Sequence, residues 1–84
     1  MTNRMPNEIE HQLLAVIADI TGIPPSRLSR DSSVEKHDEW DSISQVTLML
    51  EIERRFGIAI RPEQAVDLMS VHAIIDFITS SHDR

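Results

Sequence analysis

The sequence predicts an all-α protein: a small four-helix bundle of three longer helices and one short one, with a long loop between the first and second. Apolar residues recur at helical spacing in three segments, near residues 7–21, 42–56 and 70–80, each with a residue suited to capping at its start. The hydrophobic fraction is 40%, yet only Trp40, Phe56 and Phe77 are aromatic, so the core must be aliphatic. Two glycines and no tyrosine argue against a β-sandwich. With 84 residues the chain is expected to form one domain over 1–84, near the size at which a single core is only modestly stabilising.

Residues 1–6 read as a polar leader without periodicity. Asn7 offers an N-cap with Glu10 three residues on, as in a capping box. Ile9, Leu13, Val16, Ile17 and Ile20 then form one apolar stripe, and Gly22 with Pro24-Pro25 ends the helix. From Ile23 to Trp40 no period is visible. So long a connection in a small domain is functional or pinned, and Leu28, Val34 and Trp40 are the expected pins, with a helical turn at Pro25-Ser26-Arg27-Leu28. Plugging the loop onto the bundle is the more frequent fate of a lone Trp; exposure near the site is the other option for Trp40.

The second helix is marked at both ends, by Asp41-Ser42 in front and Gly57 behind. Leu48, Ile52 and Phe56 are expected to face the core with Val46 and Met49 flanking, while Ile43 and Leu50 lie off that stripe. Ile58 and Ile60 alternate in a short extended link. Pro62 suits a first helical position, and a short helix is expected over 62–68 through Ala65, Val66 and Leu68. Ser70 should cap the last helix, with Val71, Ile74, Ile75 and Ile78 buried and the residues after Thr79 frayed.

A net charge of −6 argues against nucleic-acid binding, which needs a basic face, and suits basic patches on partner proteins. Cysteine is absent, which removes disulfides, zinc-thiolate sites and side-chain thiol nucleophiles. No run approaches the length of a membrane span and no secretory leader is visible, so a soluble cytoplasmic protein is the default expectation; a monomer is expected as well. His11, His37, His72 and His82 are expected to face solvent. His37, Asp38, Glu39 and Asp41 match no calcium-loop spacing. A serine hydrolase would need a base and a glycine elbow around Ser42, and neither is visible. The chain is therefore not expected to be an enzyme.

Asp41 should cap the second helix and leave Ser42 as its first residue, beside the unpaired N–H groups of the first turn. An anion attached there would sit in a favourable field. Asp41-Ser42-Ile43 opening such a helix resembles the Asp-Ser-Leu helix of acyl carrier proteins, whose serine carries a 4'-phosphopantetheine arm on a phosphodiester. The resemblance continues through Phe56-Gly57-Ile58-Ala59-Ile60 and Pro62-Glu63-Gln64-Ala65 to Ser70-Val71-His72-Ala73-Ile74-Ile75-Asp76-Phe77-Ile78, and takes in the first helix. It implies an acyl-carrier-like bundle, with the arm on Ser42 beside Asp41, added by a phosphopantetheinyl transferase. It also implies acyl intermediates held as thioesters and transient docking of acyl-loading, acyl-transferring or synthase enzymes of a fatty-acid, polyketide or specialised lipid pathway. The contacts it suggests are Asp38, Glu39, Ile43, Thr47, Leu50, Glu51 and Arg54.

The chain departs from that pattern on the second helix. Fatty-acid carriers have a strongly acidic one, whereas here Glu51 and Glu53 balance Arg54 and Arg55, and Ser44, Thr47 and Arg54 stand where carboxylates are common. This favours a specialised pathway with its own partners. The acidic end of the loop, Glu35, Asp38, Glu39 and Asp41 against Lys36, has a net charge of −3 and reads either as a solvated run or as a steering patch. Two alternatives stay open. An aminoacyl or peptidyl carrier is close kin, although its approach to the serine is usually glycine-rich. In an unmodified interaction module, Asp41-Ser42 would be merely a helix cap.

Overall fold

The computed structural model describes residues 6–82. Its elements are α1 (Pro6–Thr21), a 3-10 turn (Pro25–Arg27), α2 (Ser42–Phe56), α3 (Pro62–Ala65) and α4 (Val71–His82). The all-helical expectation holds. α1 packs against both α2 and α4. The core is aliphatic: Ile9, Leu13, Val16 and Ile17 from α1 meet Leu48, Met49, Ile52 and Phe56 from α2 and Val71, Ile74, Ile75 and Ile78 from α4. Burying each such side chain contributes about 1.5–3 kcal/mol before chain entropy is counted.

The helix ends follow local chemistry. Gly22 takes φ 82° and its N–H donates to the Ala18 carbonyl at 2.9 Å, while Gly57 takes φ 65° and its N–H donates to Glu53 at 3.0 Å. A Cβ is strained in that left-handed region, so glycine is the residue that fits. The Ser70 hydroxyl accepts the Ala73 N–H at 3.1 Å and caps α4. Gln64 Oε1 accepts the Arg61 N–H at 2.9 Å ahead of α3.

The long loop is pinned as its length requires. Ile23, Leu28 and Trp40 are buried and Val34 is half-buried. Its middle is also held by backbone: Val34 N–H donates to Met69 O at 3.0 Å and Val71 N–H to Ser32 O at 2.9 Å, making one antiparallel bridge, Ser33 to Ser70. No apolar pattern announces such a bridge.

Several expectations need correction. α1 already includes Pro6, so Asn7 lies inside the helix and not at its cap; the Asn7 side chain and residues 1–5 lie outside the described residues. Val46 does not flank the core but is 62% exposed, since it sits on the outer side of α2. α3 is a single turn ending at Ala65, and α4 runs past Thr79 to His82. His37 is buried, with Nδ1 lacking a hydrogen-bond partner, because the loop folds it inward ahead of Trp40, whose N–H donates to the His37 carbonyl at 3.1 Å. His11 and His72 are exposed as expected, and the His82 side chain lies outside the described residues.

Candidate functional site

The mouth of α2 is built by Asp41. Its backbone is extended, its Oδ1 accepts the Ser44 N–H at 2.9 Å and its carbonyl accepts the Gln45 N–H at 2.9 Å, so the helix begins at Ser42. The Ser44 N–H, and then the Ser44 hydroxyl, hold the Asp41 carboxyl below its ordinary range. Ser42 is exposed and Ile43, next to it, is 79% exposed. Among the described residues no hydrogen bond ties the Ser42 hydroxyl. An exposed hydroxyl in the first helical turn, where backbone N–H groups lack carbonyl partners, fits a phosphodiester-linked group in both reach and field.

The surface around this mouth is mixed. Asp38 is exposed. Glu39 accepts from Arg27 Nη1 at 3.2 Å; its own backbone N–H, and then Arg27, lower its carboxyl pKa. The acidic run, read as either a solvated run or a steering patch, is thus partly neutralised by a residue twelve positions earlier. Ile43, Val46 and Leu50, the last 61% exposed, fall at i, i+3 and i+7 and form an apolar ridge along the outside of α2. Thr47 is exposed beside it, its hydroxyl donating to the Ile43 carbonyl at 3.2 Å.

Toward the far end, Glu51 is held by Arg55 Nε at 3.0 Å and by Arg54 Nη2 at 3.1 Å. Arg55, then Arg54, lower its carboxyl pKa. The two cations outnumber the carboxylate they share, so this end of the ridge is not acidic. Exposed pairs of this kind add little stability.

The structure therefore places Ser42, Ile43, Thr47, Leu50, Glu51 and Arg54 on α2, Asp41 at its cap, and Asp38 and Glu39 in the loop leading into it. Sequence reasoning missed Gln45. This residue is buried: its Oε1 accepts Trp40 Nε1 at 2.7 Å, and its Nε2 donates to the Leu68 carbonyl at 2.7 Å. Trp40, 2% exposed, plugs the loop, and Gln45 satisfies its indole. The missed signal was spacing, because Gln45 stands at i−3 and i−7 from Leu48 and Ile52 on the core stripe. Glu53 was missed too; its Oε2 accepts the Ile60 N–H at 2.8 Å and fixes the link after α2.

Comparison with known proteins identifies the family. Residues 11–78 match the family model described as a phosphopantetheine attachment site. An acyl carrier protein of Rickettsia bellii is 33% identical over 72 residues, covering 86% of this chain and 84% of that protein. One from Thermosynechococcus vestitus is 30% identical over 74 residues, covering 88% and 91%. The solution structure of a provisionally assigned acyl carrier protein from Anaplasma phagocytophilum superposes with a TM-score of 0.79 at 25% identity, covering 95% of this chain and 94% of that one.

A small bundle with an exposed serine at a helix mouth is built to present a group attached there. The chain belongs to the phosphopantetheine-attachment family of acyl carrier proteins. Members are carriers and not enzymes, and their cofactor is covalently attached 4'-phosphopantetheine. No helix among the described residues is long and apolar enough to cross a membrane.

Proposed function

We propose that Ser42 is the attachment residue and that the chain carries acyl intermediates of a specialised lipid or polyketide-type pathway. One observation carries this reading: Ser42 is exposed in the first turn of a helix whose cap, Asp41, is already engaged by Ser44. When bound, the arm supplies a terminal thiol that holds an acyl group as a thioester. The chain itself contains no cysteine to compete for loading. Its own residues anchor and present. Ser42 provides the ester oxygen, Asp41 fixes the helix start, and the pinned loop holds both against the bundle. Tethering raises the local concentration of the acyl group at an enzyme that has docked.

Docking is assigned to the ridge of Ile43 and Leu50, with Thr47 beside it and Asp38, Glu39, Glu51 and Arg54 around it. The specialised pathway is supported by the charge on α2, where Glu51 is bridged by two arginines and no acidic stripe remains. The partners proposed are a phosphopantetheinyl transferase and transiently bound acyl-loading and acyl-transferring enzymes. The chain is proposed to act as a monomeric single domain in the cytoplasm. Intact-mass analysis after incubation with coenzyme A and a broad-specificity transferase tests the assignment. Wild type should gain one phosphopantetheine and Ser42→Ala none; an unmodified wild type would leave only a helical interaction module.

A further inference from the structure

The tether end of α2 is closed on its inner side by a polar clasp that simple tethering does not require. Gln45 comes three residues after Ser42, about one turn along the helix. Both ends of its buried amide are used, at 2.7 Å to Trp40 Nε1 and at 2.7 Å to the Leu68 carbonyl. One side chain thereby joins the loop ahead of α2, α2 itself and the link between α3 and α4. A chain turning back from Ser42 into the bundle along this seam has to part Gln45 from Leu68. The groups so exposed would be buried beside hydrocarbon without partners, which is costly. Behind the clasp Leu48, Ile52 and Ile74 are 0% exposed and Leu68 is 4% exposed, so solvent scarcely reaches them through the seam. Close-packed interiors accept added methylenes only by displacing their neighbours.

Resting on the reading of Ser42 as the attachment residue, we infer that the Trp40–Gln45–Leu68 clasp keeps hydrocarbon out of the bundle, and that this carrier takes short or polar acyl groups held in water. A long aliphatic chain left outside would keep its apolar surface hydrated, the unfavourable state that burial relieves. A short, hydroxylated or carboxylated acyl group has little such surface and loses nothing by remaining outside.

The test loads the full-length chain from acetyl-, hydroxybutyryl-, hexanoyl- and decanoyl-coenzyme A with a broad-specificity transferase and times thioester cleavage by hydroxylamine. In wild type the rates should agree within about twofold across the series, because no acyl group is withdrawn from water. Emission of Trp40, the only tryptophan, should not change on decanoyl loading. In Gln45→Leu the decanoyl thioester should be cleaved several-fold more slowly than the acetyl one. Gln45→Met, unbranched like glutamine and unable to make either bond, should move the same way if Gln45→Leu does not fold. Decanoyl protection of about tenfold in wild type would overturn the inference while leaving the attachment standing. Rates independent of chain length in the folded variants would overturn the clasp as their cause. Failure of wild type to gain mass from any donor would remove the attachment reading, and this inference with it.

Discussion

The two sides of α2 solve different problems with similar residues. On the inner side, a glutamine among Leu48, Met49, Ile52 and Phe56 is buried and both ends of its amide are bonded, to Trp40 and to the Leu68 carbonyl. On the outer side, Ile43, Val46 and Leu50 stand in water, and Glu51 near them pairs with Arg54 and Arg55. Residue type thus does not decide the role; the position around the helix does. The inner side holds the fold together, and the outer side is free to change its contacts. A substitution on the first should cost stability, and one on the second should cost partner recognition.

The sharpest break of that contrast is Trp40→Ala. It empties a large buried site and should cost about 3–5 kcal/mol in denaturant unfolding. A cost below about 1 kcal/mol would mean that the loop is not pinned there. Gln45→Ala leaves an indole N–H and a carbonyl without their partner, so a loss of about 1–3 kcal/mol is expected for each buried group that water does not reach. On the opposite side, Leu50→Asp should leave unfolding within about 0.5 kcal/mol of wild type. The same variant should slow loading by the native partner enzymes about fivefold or more, as expected when a central apolar contact is lost. Destabilisation comparable to that of Trp40→Ala would place Leu50 in the core and erase the distinction.

Smaller effects concern charge. Asp38→Asn combined with Glu39→Gln should slow modification more at low salt than at high salt, since the exposed charges act through a screened field. Glu39→Gln alone should do less than Asp38→Asn, because Arg27 already pairs with Glu39. Equal slowing at both salts would count against steering. The smallest effect is at Asp41, whose folded carboxyl pKa is lowered by the Ser44 N–H. A lowered folded value means that its stabilisation is complete above the ordinary carboxylate range and is lost as pH falls through the folded value. Asp41→Asn, which still caps, should flatten that acid limb of a melting-temperature profile and change little at neutral pH.

The three longer helices were legible because each repeats its apolar residues at a fixed spacing and several ends carry their own chemistry: Gly22 for α1, Asp41 and Gly57 for α2, Ser70 for α4. The mouth of α2 was legible for the same reason, since a cap and the residue after it are set by neighbours in sequence. Features that depend on distant partners were not. Arg27 reaches Glu39 across twelve residues, Glu53 reaches the Ile60 N–H across seven, and the Ser33–Ser70 bridge joins two irregular segments. Gln45 shows a different failure. Its spacing marked it as inward-facing, but its polarity suggested the surface, and only a tryptophan five residues earlier and a carbonyl from the α3–α4 link make burial affordable. Val46 was misjudged the other way, as an apolar residue a single step off the stripe.

The attachment reading is tested most directly by fragmenting the modified chain and locating the added phosphopantetheine. All of it should lie on Ser42. Modification found on Ser44 or on any other hydroxyl, or persisting in Ser42→Ala, would contradict it.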